Sequence, residues 1–148
     1  MTNTTITKRA VGDKLISITA PAFNEELCLR ELCDRIRNSI EKITNNFEII
    51  VVDNDSTDGS LALLRQLGEA DQRIKYVRLS RNFGHFGGII AGMEHSSGDI
   101  VITMDADLQH PPELIPQFLE EWCKGYNVVG TKKRSSSKTS RLMHLFNE

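Results

Sequence analysis

The sequence predicts an α/β protein built on a mainly parallel, doubly wound sheet. Short apolar runs alternate with segments of helical periodicity in the order β-α-β-α-β-α-β-α-β. The apolar run inside FEIIVV is unbroken, which is typical of a parallel strand buried on both faces. Unusual polar sequences follow the strands, and sheets of this class bind ligands beyond the carboxyl ends of their strands. The sequence therefore predicts one binding edge.

The first half of the chain supplies two strands and two helices. Residues 1–13 are polar and aperiodic, which indicates a flexible N-terminal arm. LISITA is the first strand, and apolar residues spaced by three and four after it predict a helix. FEIIVV is the second strand. Leucines at helical spacing follow it, in a helix that Asp58 or Ser60 can cap.

The second half continues the alternation. IKYVRLS, DIVITM and YNVVG predict the third, fourth and fifth strands. A glycine-rich loop, NFGHFGG, leads into a helix before the fourth strand. Two prolines open another helix after that strand, because proline is tolerated in a first turn. The last segment, LMHLFNE, is expected to be helical.

Composition limits the classes of function. A chain of 148 residues with 39% hydrophobic and 26% charged residues is expected to form one soluble globular domain. Its net charge of −2 predicts no nucleic-acid partner. The longest apolar runs are far too short to span a membrane, and no signal peptide is recognised. Three cysteines without paired spacing indicate reduced thiols and a cytoplasmic setting.

Two aspartates follow the fourth strand one residue apart. Asp105 and Asp107 would repel each other unless a cation lay between them. Mg²⁺ or Mn²⁺ would remove the repulsion, since these ions prefer oxygen ligands and substrate phosphates. Alternate residues of an extended segment point the same way, so these carboxylates and Gln109 can converge on one ion. A solvated turn with ordinary acidic residues is the alternative, and spacing alone leaves both open.

Other catalytic and binding motifs are missing from the sequence. No phosphate loop, GxGxxG fingerprint, serine nucleophile elbow or zinc-spaced cluster occurs. The four histidines are scattered, and each is more typical of a structural or exposed residue than of a ligand. Only His85, in the glycine-rich loop facing the predicted cleft, is left open.

Four segments in this order resemble the inverting family 2 glycosyltransferases with a GT-A fold. They are APAFNEE, EIIVVDNDSTDGS, LSRNFGHFGGIIAGMEHSSGD and MDADLQHPPELIP. Within that family they are most similar to the polyprenyl-phosphate glycosyltransferases, of the dolichol-phosphate mannosyltransferase and bactoprenol glucosyltransferase kind. The resemblance runs from about Leu15 to Gly130 and implies a Rossmann-like nucleotide-sugar-binding domain over 14–131. It also favours the metal interpretation of the Asp-Ala-Asp segment.

The resemblance implies roles for particular residues. Those that match positions holding the base and ribose of the nucleotide are Pro21, Ala22, Phe23, Glu25, Val52, Asp53 and Asn54. Those that match the diphosphate and metal segment are Asp105, Ala106 and Asp107, with Gln109 as a further ligand. The two aspartates would be catalytic through Mg²⁺ or Mn²⁺, by stabilising charge on the leaving diphosphate.

One departure from the family pattern concerns the base. Relatives usually read VDDGSTDG, whereas this chain reads VDNDSTDG, with Asn54 in place of an aspartate. A carboxamide offers an acceptor and two donors, which suits the mixed edge of uracil better than the two neighbouring donors of guanine. This predicts a UDP-sugar rather than a GDP-sugar. The alternative is that Asn54 faces solvent or caps its turn.

The end of the chain is expected to lead into a further, membrane-associated half that binds the acceptor. Residues 132–148 begin with a basic tail, which is either solvated or a patch for a diphosphate or an anionic membrane surface. No convincing general base follows Asp107, and this favours a polyprenyl-phosphate acceptor, whose phosphate is already ionised. Truncation explains the missing base equally well.

The leading prediction is therefore a metal-dependent glycosyltransferase at the cytoplasmic face of the membrane. Two other functions compete with it: a nucleotide-sugar-binding fragment that transfers nothing on its own, and a metal-dependent nucleotidyltransferase. A homo-oligomer formed through the surface that the missing half would cover is also open.

Overall fold

The computed structural model describes residues 9–132 and 141–144, in two units. The larger unit, 13–113, carries four strands and three helices. Their bounds are Ile16–Ala22 (β1), Glu26–Ile40 (α1), Phe47–Asp53 (β2), Ser60–Ala70 (α2), Ile74–Arg78 (β3), Gly84–Glu94 (α3) and Ile100–Thr103 (β4). A 3-10 turn over Pro112–Leu114 follows, where the sequence predicted the start of a helix.

The four strands form one parallel sheet in the order β3-β2-β1-β4. Ile16 of β1 lies opposite Phe47 of β2 on one side and Ile100 of β4 on the other. Strands β1, β2 and β3 are therefore added in one direction across the sheet, and β4 is then added on the opposite side of β1. Strand order reverses between β1 and β4, which is the place where sheets of this class bind ligands. The predicted parallel, doubly wound sheet is confirmed.

The core is centred on β1 and β2, in which all seven residues of each strand are buried. Helix α1 packs with its apolar face, as its periodicity predicted, and its buried aliphatic residues are Leu29, Leu32, Ile36 and Ile40. Helix α3 is different, because its buried residues are Gly88 and Gly92. A Cβ added at these positions would lie 2.7 Å from Pro21 Cβ and 3.0 Å from Thr19 Cβ, respectively. The helix therefore lies close against β1.

Glu48 and Asp53, both in β2, are charged side chains buried in the sheet. Glu48 of β2 is 3% exposed and accepts hydrogen bonds from Lys75 Nζ at 2.6 Å, Ser17 Oγ at 2.6 Å and Ser97 N at 2.8 Å. Burial works to raise the pKa of this carboxyl, but the hydrogen bonds outweigh burial and lower the pKa. Glu48 is therefore a fully bonded carboxylate that joins β1, β3 and the segment after α3.

The smaller unit contains Ile115–Cys123 (α4), Val129–Lys132 (β5) and Arg141–His144 (β6). Strands β5 and β6 pair antiparallel in a sheet of their own. The predicted fifth strand therefore does not join the parallel sheet. Residues 142–144, expected to be helical, are extended because their backbone pairs with that of β5. In the same unit, the Arg9 guanidinium lies 5.2 Å from the Trp122 ring centroid.

Other sequence predictions fall wholly or partly on residues that are not described. The division into an arm (1–13), a nucleotide-sugar domain (14–131) and a basic tail (132–148) stays a prediction, since 1–8, 133–140 and 145–148 lie outside the described residues. Across the ranges that are described, no helix is both long and apolar enough to cross a membrane.

Candidate functional site

A cleft of about 340 Å³ lies where the loops that follow the four parallel strands meet. Its lining residues are Pro21, Ala22, Phe23, Glu25, Asn54, Asn82, Gly84, His85, Asp105, Ala106 and Asp107. All of them belong to the larger unit. The cleft occupies the edge that the sequence predicted, because parallel strands bring their carboxyl ends together.

Eight of the residues predicted from the sequence line this cleft. They are Pro21, Ala22, Phe23, Glu25, Asn54, Asp105, Ala106 and Asp107. Val52 and Asp53 do not line it, because both are fully buried in β2. Gln109 is exposed and also lies outside the lining. The sequence analysis missed Asn82 and Gly84, although their position directly after the third strand could have identified them.

The loops after β1 and β2 are joined by side-chain to backbone hydrogen bonds. Ser56 Oγ accepts from Asn24 N at 3.0 Å, and Asn24 Oδ1 accepts from Thr57 N at 2.8 Å. Ser60 Oγ accepts from Glu25 N at 3.0 Å. Asn24 has a φ of 57°, a left-handed conformation that asparagine adopts more readily than most residues. These bonds fix the loop that carries the β1 side of the cleft.

The starts of α1 and α2 are joined in the same way. Asp58 Oδ2 accepts from Glu26 N at 3.2 Å, and Glu26 Oε2 accepts from Gly59 N at 2.9 Å. Asp58 Oδ1 also accepts from Ser60 N at 3.0 Å, although the cap position of α2 is occupied by Gly59. Partial burial works to raise the pKa of Asp58, but these hydrogen bonds lower it. The NEE and STDGS segments are therefore joined by hydrogen bonds that fix the loops after β1 and β2 around the site.

Asn54 uses its amide to hold the loop after β3. Its Nδ2 donates to Asn82 Oδ1 and to Gly84 O, both at 3.0 Å. Its Oδ1 accepts from Phe83 N at 2.9 Å. An amide has two N–H donors, so both are occupied. The Asn54 amide therefore has no N–H left to donate to a base, so it cannot read a mixed donor and acceptor edge as predicted. Its hydrogen bonds hold the loop after β3 instead, which is close to the alternative that Asn54 caps a turn.

The two predicted metal ligands have different surroundings. Asp105 lies between two imidazoles, with His85 Nε2 3.3 Å from Oδ1 and His110 Nδ1 3.1 Å from Oδ2. Asp107 Oδ1 accepts from Gln109 N at 2.9 Å. Leu108, between Asp107 and Gln109, has a φ of 63°, which costs a side chain of its kind about 1–2 kcal/mol. Such strain is typical of loops whose shape serves a site.

The donor atoms of the cleft fit a hard divalent ion only in part. Two carboxylates line one cleft, and oxygen ligands suit Mg²⁺ or Mn²⁺. Among the residues that the structure describes, no group of three or more His, Cys, Asp or Glu side chains is arranged to hold a metal ion. An ion held by Asp105 and Asp107 would need further oxygens from water or from a ligand such as a diphosphate.

A general base is not supplied by Glu113, the next acidic residue after Asp107 along the chain. Glu113 receives hydrogen bonds from Arg35 Nε at 2.8 Å and from Arg35 Nη2 at 2.7 Å. This paired guanidinium lowers the pKa of Glu113. A carboxylate engaged on both oxygens is a poor proton acceptor, in line with the sequence analysis.

Sequence comparisons identify a matching family model and several similar proteins. The model of the family described as "Glycosyl transferase family 2" matches residues 17–147. An undecaprenyl-phosphate 4-deoxy-4-formamido-L-arabinose transferase of Aeromonas hydrophila is 42% identical over 123 residues, which cover 82% of this chain and 38% of the relative. The protein of that name from Pseudomonas aeruginosa is 45% identical over 118 residues, which cover 79% and 35%. The chain thus spans little more than a third of these relatives.

Solved structures show the same fold. A Pyrobaculum calidifontis mannosyltransferase in complex with GDP-Man and Mn²⁺ has a TM-score of 0.63 at 21% identity, with 83% of this chain and 35% of that chain covered. The S. aureus protein TarS in complex with UDP has a TM-score of 0.55 at 25% identity, with 62% and 27% covered. The fold is therefore that of the GT-A glycosyltransferases.

Proposed function

Because the chain belongs to glycosyl transferase family 2, we propose that its cleft binds a nucleoside-diphosphate sugar for transfer to a polyprenyl-phosphate acceptor. One observation carries the proposal: Asp105 and Asp107 line the same cleft as the loops after β1 and β2, at the point where strand order reverses. The acceptor class is supported by relatives that are named as undecaprenyl-phosphate transferases. Because the chain covers little more than a third of those relatives, transfer is proposed for the whole protein.

In this proposal the nucleotide contacts the lining residues of the β1 side. Phe23 lines the cleft, is 45% exposed and offers an aromatic face to the base, while Glu25 lines the cleft beside it. Val52 and Asp53 are buried in β2, beneath the lining residues, and do not contact the nucleotide directly in this proposal. Asp53 Oδ1 accepts from Ser56 N at 3.0 Å, so this carboxylate holds the loop on which the nucleotide rests.

We propose that Asp105 and Asp107 hold Mg²⁺ or Mn²⁺ together with the diphosphate oxygens. Such an ion, when bound, would offset charge on the leaving diphosphate. The two-carboxylate donor set supports this, as does the Mn²⁺ in the Pyrobaculum complex, which shares only the fold. His85 Nε2 and His110 Nδ1 lie beside the Asp105 carboxylate, and His110 Nδ1 accepts from Asp105 N at 3.3 Å. The backbone N–H of Gln109 donates to Asp107 Oδ1 at 2.9 Å, and its side chain stays a predicted further ligand.

We propose that the site prefers UDP over GDP because Asn54 can offer one acceptor, but no donor, to the base. With both N–H groups of Asn54 engaged, one lone pair of Oδ1 remains for a base. A single acceptor suits the one N–H of uracil, whereas guanine presents two neighbouring donors. We further propose that the whole protein works at the cytoplasmic face of a membrane, where a polyprenyl phosphate presents its head group.

Calorimetric titration of the 148-residue chain with UDP and with GDP tests this function. We expect UDP to bind more tightly than GDP in Mn²⁺, and removing the ion with a chelator or changing Asp107→Asn to weaken UDP binding at least tenfold. Asp34→Asn, which changes an aspartate of α1 outside the cleft, should have no effect. Nucleotide affinity that is indifferent to both chelator and Asp107→Asn would refute the metal-dependent site.

Transfer needs a separate assay. Sugar transfer from a UDP-sugar to a polyprenyl phosphate by the whole protein, and its loss in Asp107→Asn, would distinguish an enzyme from a fragment that only binds the donor. A nucleotidyltransferase is tested separately with a nucleoside triphosphate and a sugar 1-phosphate, from which release of pyrophosphate would indicate that activity.

A further inference from the structure

Helix α3 turns a row of large apolar side chains toward solvent. Phe83 precedes the helix and is 49% exposed, while Phe86, Ile90 and Met93 are 78%, 56% and 53% exposed. Their spacing of three, four and three residues places them on one side of the helix. We call these four residues the α3 stripe. Contiguous exposed apolar surface of this kind marks interaction sites more often than chance.

The α3 stripe begins at the cleft. Phe83 lies between Asn82 and Gly84, both of which line the cleft. The Phe86 ring packs edge-on against the ring of His85, another lining residue, with a centroid distance of 5.9 Å. The first turn of α3 therefore has a polar side that belongs to the cleft and an apolar side that starts the stripe.

A cation lies at the cleft end of the α3 stripe. The Arg81 guanidinium carbon is 4.6 Å from the centroid of the Phe83 ring. Arg81 is exposed, and it forms no salt bridge with any residue in the described part of the chain. The surface thus presents a cation without a salt bridge among the described residues, and then an apolar track of roughly 15 Å, the rise of ten helical residues. An anionic head group with a long apolar chain has the complementary shape and charge.

We propose that the α3 stripe binds the isoprenoid chain of the polyprenyl-phosphate acceptor, with Arg81 toward its phosphate. The identity of the acceptor rests on the proposed function. The small area of the stripe favours a chain over a second protein, because four partly exposed side chains offer roughly a few hundred Å², against about 800 Å² per partner in a stable interface. The stripe also leads into the cleft, so a bound chain would carry its phosphate toward the donor.

Calorimetric binding of farnesyl phosphate to the 148-residue chain tests this proposal without requiring catalysis. We expect the wild-type chain to bind it and Ile90→Gln to weaken binding about tenfold, since burial of one aliphatic side chain has at least that effect. Ile43→Gln is the matched control: Ile43 is 40% exposed and lies after α1, away from the carboxyl ends of the strands. It should leave binding unchanged. Arg81→Gln should weaken binding of farnesyl phosphate but not of farnesol.

Several results would overturn the proposal. These are the absence of farnesyl phosphate binding by the wild type, equal affinity in Ile90→Gln, or a wild-type dimer that Ile90→Gln converts to a monomer in sedimentation. Binding of the wild-type chain to phosphatidylcholine vesicles as tightly as to farnesyl phosphate would also overturn it, because the stripe would then bind a membrane surface instead. UDP titrations on the same variants separate the two hypotheses. Farnesyl phosphate binding that depends on Ile90 supports the α3 stripe even where no nucleotide binds, and only the donor site is then refuted.

Discussion

Helices α1 and α3 attach to the same domain by opposite means. Helix α1 buries aliphatic side chains, including Leu32 and Ile36, and leaves mainly polar residues in solvent. Helix α3 buries glycines and leaves Phe86 and Ile90 in solvent. A helix can therefore be held by close backbone approach, which leaves its large side chains available to a ligand.

Polar side chains secure α3 at both ends. The Asn54 amide holds residues 82–84 at its start, and Glu48 accepts from Ser97 N just beyond its end. Ser17 Oγ accepts from Gly98 N at 2.8 Å next to that contact. Four substitutions, taken in order of decreasing effect, test this division between an apolar attachment and a polar one.

The largest effect should come from truncating α1. Ile36→Ala removes a fully buried side chain, and we expect the free energy of unfolding to fall by about 2–5 kcal/mol in urea denaturation. Ile90→Ala, the same truncation on α3, should change it by less than about 0.5 kcal/mol. Similar losses in both variants would show that α3 is packed in the same way as α1.

The second effect concerns the N-terminal attachment of α3. Asn54→Asp replaces the NH2 group, with its two N–H donors, by one carboxylate oxygen that faces Asn82 Oδ1 and Gly84 O. We expect a loss of about 1–3 kcal/mol in the free energy of unfolding. Amide hydrogen exchange should accelerate in the first turn of α3 more than in α1. Asn38→Asp, the same change on the exposed side of α1, should have little effect. Unchanged exchange in Asn54→Asp would show that α3 does not depend on these bonds.

The third effect tests the glycine contact. Gly88→Ala gains about 1 kcal/mol of helix propensity, but the new methyl would lie 2.7 Å from Pro21 Cβ and costs about 1–3 kcal/mol of overpacking. We expect a net loss on the order of 1 kcal/mol in urea denaturation and weaker UDP binding, since Pro21 lines the cleft. Gly92→Ala, with its closest contact at 3.0 Å, should lose less. A stabilised Gly88→Ala protein would contradict the close approach.

The smallest effect is a pH dependence at the other end of α3. Because the pKa of Glu48 is lowered in the folded chain, its stabilising contribution is complete above the ordinary glutamate pKa of about 4.3. It is lost as the pH falls from there through the lowered value. We expect Glu48→Gln to remove a part of the acid sensitivity, on the order of 1 kcal/mol, in unfolding measured from pH 7 to pH 3. Parallel profiles of wild type and variant would exclude this role.

The sheet and most of the cleft could be predicted because each rests on a local pattern. The unbroken apolar run in FEIIVV identified β2, and the short segment LISITA identified β1. The carboxyl-end rule placed Asp105 beside the loops after those strands. The pairing of β5 could not be predicted, because its partner β6 lies beyond a basic and serine-rich segment that carries no strand signal. Apolar periodicity also misleads for α3, where glycines take the buried positions.

Side-chain roles were harder to predict than positions. Asn54 was placed correctly at the end of the second strand, yet its partners come from a loop about 30 residues later. A sequence shows the hydrogen-bonding capacity of an amide but not which groups use it. The same limit applies to Asp53, which was predicted to read the base but is buried beneath the loop it holds.

The place of β1 between β2 and β4 also bears on how the chain folds during synthesis. Ile16 can pair with Phe47 early in synthesis, but its other partner, Ile100, is synthesised much later. Pairing β1 with β4 therefore carries a large loop-entropy cost and gives the sheet a high contact order. Until then the free edge of β1 is a template for intermolecular strand pairing. A nascent chain that stalls before residue 100 is thus expected to be aggregation-prone. The aspartate pair is synthesised only after β4, the strand that covers this edge.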